Sequence, residues 1–221
     1  GPLHARFDLV GNIPTISIVE TPFRGRAAMM KRMFDLVVAS AALMILSPLL
    51  LLIAIGIKIT SSGPVFFRQP RYGLDGQTFQ IWKFRTMRVM ETGDEVSQVV
   101  RQDPRVTAFG AILRRYSLDE RPQLLNVIDG SMSVIGPRPH PITMNARQRL
   151  LIDRYMQRHI VKPGITGWAQ VNGYRGETDT AEKVQKRIEF DLDYIEGWSI
   201  WLDVRILWRT ATSIWNDPNA Y

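Results

Sequence analysis

A chain of 221 residues, 45% hydrophobic and 22% charged, is long enough for one or two buried cores and too apolar to be disordered. Its 28 Lys and Arg against 21 Asp and Glu leave a net charge of +7, which asks for an anionic partner without choosing among nucleic acid, anionic lipid and phosphorylated substrate. The absence of cysteine excludes disulfides, thiolate nucleophiles and cysteine zinc sites, and His4, His140 and His159 lack metal-binding spacing and read as surface or packing residues.

The first long feature in chain order is residues 36–57, LVVASAALMILSPLLLLIAIGI, a run without a charge. About 20 apolar residues in a helix cover the roughly 30 Å hydrocarbon core of a bilayer. The run starts too late and is too long for a signal core, and it lacks the polar face of a soluble core helix, so it reads as membrane-inserted. Arg24, Arg26, Lys31 and Arg32 precede it, while Lys58, Arg68 and Arg71 follow. Basic flanks favour the cytoplasmic side, so one straight span would leave one flank misplaced. A re-entrant hairpin keeps both flanks together, and Ser47-Pro48 sits near the middle, where the bend is needed. Proline removes a donor and crowds the carbonyl of Met44, and the Ser47 hydroxyl can partly satisfy the freed groups. A kinked helix that still spans is the alternative.

Beyond Gly63-Pro64 the pattern becomes strand-like. PVFFRQPRY and TFQIWKFRTM flank Gly73-Leu74-Asp75-Gly76, which predicts a β-hairpin. Positions 79, 81, 83, 85 and 87 then share a face, so Lys83 and Arg85 are neighbours able to converge on a phosphate. An edge strand with protective charges is the simpler alternative. Helices are expected at about 106–116, 120–129, 142–158, 179–195 and 199–215, the fourth opened by a capping box of Asp179 and Glu182. IGPRPHP, residues 135–141, is stiffened by prolines around Arg138, which suits anion recognition or a rigid connector. VKPGITGWAQVNGYRG, residues 161–176, reads as an ordered glycine-rich loop. In the last helix Trp201, Val204, Trp208, Ala211 and Trp215 share a face, with Arg205 and Arg209 within reach of lipid phosphates. Docking of that helix on the core is the alternative.

The acidic pair Asp119-Glu120 lies in LRRYSLDERPQLLNV, residues 113–127, among arginines. Pro122 fits only the first turn of a helix, which places the helix start near Asp119. Both carboxylates then lie at the positive end of the helix dipole, with Arg114, Arg115 and Arg121 nearby, a setting that keeps acids ionised and attracts phosphate. A divalent cation could bridge carboxylate and phosphate oxygens. These are the parts of a carboxylate nucleophile attacking phosphorus. On spacing alone capping is the simpler reading, since Ser117-Leu118-Asp119-Glu120 is itself an S-x-x-E box.

Seven motifs occur in order: KRMFD, LSPL, QIWKFRTM, LRRYSLDERPQLLNV, SMSVIGPRP, VKPGITGWAQVNG and FDLDYIEGWSIWLD. Together they closely resemble the monotopic phosphoglycosyl transferases, the bacterial sugar transferases that load a polyprenyl phosphate with a hexose-1-phosphate. The resemblance implies an α+β, mostly helical fold. Residues 1–30 would be the tail of an upstream domain and 31–59 a re-entrant membrane helix broken at Ser47-Pro48. Residues 60–221 would be a catalytic domain, with a β-hairpin and amphipathic interfacial helices, on the cytoplasmic face of the bacterial inner membrane. The implied reaction takes hexose-1-phosphate from a UDP-hexose to undecaprenyl phosphate. It releases UMP through a phosphosugar intermediate on Asp119 and starts an exopolysaccharide, capsule or O-antigen glycan.

The same resemblance makes Glu120 the dyad partner, as metal ligand or proton manager, and Mg2+ the expected cofactor, held by Asp119 and Glu120. Lys83, Arg85, Arg114 and Arg138 match motif cations and are candidates for the diphosphate and nucleotide, with Asp191 of FDLDYIEGW as a further site residue. Glucose is slightly favoured over galactose. Longer members carry four transmembrane helices and a Rossmann-like domain ahead of this region, and GNIPTISIVETPFRGR resembles the end of such a domain, which leaves room for a homo-oligomer. Arg121 stands where many members have an apolar residue. Two rival readings remain at this level: a membrane-associated glycosyltransferase that releases UDP, and a non-enzymatic basic protein of the membrane surface. No aromatic-basic motif supports nucleic-acid binding.

Overall fold

The computed structural model describes residues 5–10, 13–18, 21–88, 103–142, 154–174 and 180–213. At the start, strands β1 (Ala5–Val10) and β2 (Ile13–Ile18) pair antiparallel with Val10 opposite Ile13, a hairpin where the sequence suggested only a tail.

Helix α1, Gly25–Thr60, is the longest element and begins before the expected position 31. Its buried residues, Lys31, Asp35, Ala39, Ile53 and Ile57, follow helical spacing along one stripe. Phe34, Val38, Ala42, Leu43 and Leu46 lean on the main core, while Leu50 and Ala54 lean on a second, smaller one. Away from the stripe Met29, Met33, Val37, Met44, Ile45, Leu51, Leu52, Ile55 and Ile59 are exposed. Only 11% of its most apolar 18-residue window is buried, unlike the core helix of a soluble domain, and the helix is long and apolar enough to cross a membrane. The helical run continues through Pro48. Ser47 Oγ donates to the Met44 carbonyl at 2.9 Å, the oxygen that Pro48 cannot serve. Helix α1 is therefore continuous at Ser47-Pro48, where a break was expected, and the serine hydroxyl takes up the carbonyl that the proline leaves.

Strands β3 (Phe66–Tyr72) and β4 (Thr78–Phe84) form the predicted hairpin, with Tyr72 opposite Thr78. One face is aromatic: Phe66 stacks on Phe84 and meets Trp82 edge-on, and the Arg68 guanidinium lies 3.8 Å from the Trp82 ring centre. Helix α2 (Ala108–Arg115) is capped by Thr107, whose hydroxyl accepts from Gly110 N at 2.9 Å. Helix α3 (Gln123–Asp129) ends on left-handed Gly130. Strands β5 (Ser133–Ile135) and β6 (Gly164–Thr166) pair in parallel. Glycine is required at this crossing, because a Cβ on Gly164 would strike the backbone of Gly136. Of the expected helix 142–158 only the two ends lie within the described residues, and Tyr155–Ile160 is a 3-10 turn. Helices α4 (Trp168–Val171), α5 (Ala181–Glu196) and α6 (Ile200–Ser213) complete the body. The cap of α5 is Thr180, which accepts from Lys183 N, so the expected box is displaced, and Asp179 itself lies outside the described residues.

Buried charge fastens α1 to this body. Lys31 Nζ lies 2.8 Å from Asp203 and 3.3 Å from Asp35. Asp203, fully buried, also accepts from the Tyr194 hydroxyl at 2.8 Å and Trp198 Nε1 at 3.2 Å. Asp35 accepts from Ser133 Oγ and Val134 N. The motifs KRMFD and FDLDYIEGWSIWLD thus meet in one polar knot. Arg32 donates to the carbonyls of Val127 and Ile128, the last turn of α3. Removing one member of such a buried group leaves the others uncompensated, at a cost of about 3–5 kcal/mol. Asp203→Ala is expected to lose stability of that order in thermal unfolding of the detergent-solubilised protein, and a wild-type melting curve would contradict it.

Candidate active site

Asp119 and Glu120 occupy the turn that joins α2 to α3. Ser117 takes a left-handed φ of 50°, and α3 starts at Gln123 with Pro122 as its cap residue. The carboxylates therefore lie one turn ahead of the helix, not in its first turn. Capping is not their role: Pro122 stands at the cap without a side-chain bond, and the Glu120 carboxylate is engaged elsewhere. It accepts from Lys83 Nζ at 2.8 Å and from Arg138 Nη2 at 2.8 and 3.0 Å.

Three backbone and side-chain contacts hold the turn in place. Phe84 N donates to the Asp119 carbonyl at 2.9 Å, and Leu118 N to that of Leu113 at 2.8 Å. Leu118 packs on the smaller core of Ile53, Ile57, Phe84 and Leu113, so the residue before Asp119 sits in the same cluster as the C-terminal half of α1. Asn126 ties α3 to the hairpin, its Oδ1 accepting from Trp82 N and its Nδ2 donating to the Gln80 carbonyl, as a neighbouring strand would.

The pKa values of the two adjacent acids are displaced in opposite directions. Burial, and next the charge of Glu120, push Asp119 up to about 6, against the pull of Lys83 and Arg114. Burial alone would raise Glu120 as well, but Arg138 and Lys83 outweigh it and hold that carboxyl well below the usual range. At neutral pH Glu120 is a fixed anion, and Asp119 is ionised but basic for a carboxylate.

The sequence candidates separate into those at the dyad and those behind it. Lys83 and Arg138 touch Glu120, and Arg114 acts on Asp119 through its charge. Arg85 differs from its expected pairing with Lys83: β4 ends at Phe84, and Arg85 Nη2 donates to both the carbonyl and hydroxyl of Ser61 at the end of α1. Asp191 lies in the layer behind Arg138. It binds Arg158 at 2.7 Å, and Arg158 donates to the Arg138 carbonyl at 2.7 Å, so Asp191 positions the loop rather than touching the dyad. His140, reached by Arg158 and the Tyr155 hydroxyl, is buried, and burial followed by Arg158 and Arg187 keeps it neutral. Arg71, Asn126 and Arg158 escaped the sequence reading of the site. Only Arg71 left a signal, since pairing in the predicted hairpin puts it on the face of Lys83.

Among the described residues no three His, Asp or Glu side chains gather as metal ligands. Two adjacent carboxylates nonetheless fit Mg2+, which takes one or two carboxylates together with substrate phosphates and water. On α6, Trp201 (77%) and Trp208 (71%) are exposed beside Val204, while Asp203 and Ile206 face inward, so docking and an outward aromatic face coexist on one helix. Arg205 and Arg209 lie over Trp168, and Trp215 lies outside the described residues.

Raising Asp119 from 3.8 to about 6 means that folding favours its protonated form. Stability from this group is greatest below pH 3.8 and is lost as pH rises through about 6, at a cost on the order of 3 kcal/mol at neutral pH. Asp119→Asn is therefore expected to stabilise the protein by about 1–3 kcal/mol at pH 7.5 in the presence of a chelator, and less at pH 4.5. Melting curves at the two pH values test this, and a destabilised variant at pH 7.5 would overturn it.

The sequence profile described as Bacterial sugar transferase matches residues 26–217. An Escherichia coli protein, UDP-glucose:undecaprenyl-phosphate glucose-1-phosphate transferase, is 50% identical over 219 residues, which cover 99% of this chain and 47% of that relative. A Caulobacter vibrioides protein of the same description is 49% identical over 86% of this chain and 72% of its own length. An Aeromonas hydrophila UDP-N-acetylgalactosamine-undecaprenyl-phosphate N-acetylgalactosaminephosphotransferase is 42% identical over 85% of this chain and 44% of its own length. The chain thus spans about half the length of the Escherichia coli and Aeromonas relatives.

Proposed function

The chain belongs to the bacterial sugar transferase family, and we propose that it moves a hexose-1-phosphate from a UDP-sugar to undecaprenyl phosphate. The observation that carries the reading is the pair of neighbouring carboxylates shifted in opposite directions, Asp119 made more basic and Glu120 locked as an anion between two cations. A desolvated carboxylate that is ionised at neutral pH suits nucleophilic attack on phosphorus. One oxygen of Asp119 attacks the phosphorus that bears the sugar. The bond from that phosphorus to the bridging oxygen breaks, and UMP leaves with its electron pair. An oxygen of the lipid phosphate then attacks the same phosphorus and releases Asp119 as carboxylate. One phosphoanhydride bond is lost and one is formed.

Glu120, with its depressed pKa, is poorly suited to carry a proton, and its part is to hold Lys83 and Arg138 where phosphate charge accumulates. Mg2+, held by Asp119 and Glu120, would supply charge neutralisation at the diphosphate oxygens. Glucose is the favoured hexose, because the Escherichia coli and Caulobacter relatives are described as glucose-1-phosphate transferases. The Aeromonas description names another sugar, so family membership alone does not set it.

The setting is the cytoplasmic face of the bacterial inner membrane, at the first step of an exopolysaccharide, capsule or O-antigen glycan. The long apolar helix α1 supports membrane insertion. A re-entrant path is supported by its two ends, since Lys31 and Arg32 bind the body at one end and Ile53 and Ile57 pack on it at the other. A straight crossing would carry one end away from a body that lies on one side.

Asp119→Asn is expected to reduce transfer from UDP-glucose to undecaprenyl phosphate below detection in membranes, while wild-type protein releases UMP. Substantial turnover by the variant would rule out the covalent route, and UDP as the released nucleotide would favour the rival glycosyltransferase. For topology, Met30→Cys and Ser62→Cys should both react with impermeant reagents from the cytoplasmic side alone. Labelling from opposite sides would establish a spanning helix.

A further inference from the structure

Building on that reading, we propose that Arg71 is a phosphate-binding residue of this site, acting with Arg138 as a pair of guanidinium forks on one phosphate group. Strand pairing sets its direction. Arg71 stands opposite Phe79, Gln69 opposite Ile81 and Phe67 opposite Lys83, and directly paired residues share a face of the hairpin. Arg71 therefore projects from the face that sends Lys83 to Glu120. An antiparallel bridge between Arg71 and Pro141 ties this strand to the stiff loop that carries Arg138. The loop is fixed from behind by Arg158 and Asp191.

The chemistry around Arg71 is that of a cation short of anionic partners. Its side chain is largely buried, with the residue 9% exposed. Its Nη2 donates to the neutral Gln69 Oε1 at 2.9 Å, and its Nε has no hydrogen-bond partner. The acid that acts on it is Glu120, whose carboxylate already accepts from both Lys83 and Arg138. Lys83, Arg138 and Arg71 thus gather about the Asp119–Glu120 pair, and cations that outnumber the acids in a partly buried site call for an anion with several acceptor oxygens. A phosphate ester meets that need and matches the planar donors of arginine. Burial and repulsion from Arg138 also bring Arg71 down to about 10, which agrees with a crowded cationic pair. The phosphate can belong to the nucleotide donor or to the lipid acceptor, and the alternative for Arg71 is a staple between hairpin and loop.

Equilibrium binding separates these cases in the full chain in nanodiscs. UMP and a short-chain polyprenyl phosphate are titrated against wild type, Arg71→Gln and Arg71→Lys, with melting temperature measured alongside. Arg71→Gln is expected to weaken one of the two ligands by about 10- to 100-fold, the loss of a charge-assisted pair of bonds. Loss toward UMP places Arg71 on the donor side, and loss toward the lipid places it on the acceptor side. Arg71→Lys, which keeps the charge without the fork, should fall between. A glutamine variant that binds both ligands within about twofold of wild type overturns the assignment. If that variant does not fold, the lysine variant decides, and unchanged affinity for both ligands overturns it. Arg71-dependent UMP binding in a protein that transfers no phosphosugar would sink the transfer reading and leave this one standing.

Discussion

The ion pairs of Glu120 with Lys83 and Arg138 bring together three parts of the chain that are distant in sequence. Lys83 comes from β4, Glu120 from the turn before α3, and Arg138 from the proline-stiffened loop after β5. Each part has its own reason to be rigid: a paired hairpin, a turn hydrogen-bonded to Phe84, and a loop held by Arg158. The ion pairs also govern the neighbouring acid. Because Glu120 stays charged, Asp119 feels a second negative charge at close range in a poorly solvated turn, and its basicity rises. One carboxylate is fixed as an anion, and the other is left the more basic of the two.

Helix α1 enters this arrangement through packing. Its N-terminal part is held by the Lys31, Asp35 and Asp203 group, and its C-terminal part shares the small core with Leu118, directly before Asp119. An element apolar enough for a bilayer therefore shares a packing cluster with the residue directly before Asp119. That geometry suits the proposed transfer to a phosphate attached to a lipid. The Arg85 bonds to Ser61 extend the same link from the strand bearing Lys83 to the end of α1.

Local chemistry was the part legible in the sequence. Alternation and the Gly73–Gly76 turn located the β3–β4 hairpin, and the proline after Asp119-Glu120 located the start of α3 to within a few residues. The Ser47 bond to Met44 follows from where proline removes a donor. Contacts between distant segments were not legible. Nothing near Asp191 indicates that it supports Arg138 through Arg158, and nothing near Asn126 indicates that its amide stands in for a strand. Lys83 and Arg85 look equivalent along a strand, and only the end of β4 at Phe84 sends one to Glu120 and the other to Ser61. The capping box failed for the same reason: Glu120 had better partners than a helix end, and they lie 37 and 18 residues away.

The net charge of +7 is a poor guide to where anions bind, because exposure decides what each charge is worth. Lys186 and Glu189 form a pair at 2.7 Å with side chains 50% and 46% exposed, and such a pair is screened and weak. Lys83 and Glu120 meet at nearly the same distance with 19% and 18% exposure, where water competes less and each charge acts over a longer range. A few cations, placed by a hairpin face and a stiff loop around one carboxylate, set the electrostatics of the site, and they do so only because the fold keeps water from dividing them.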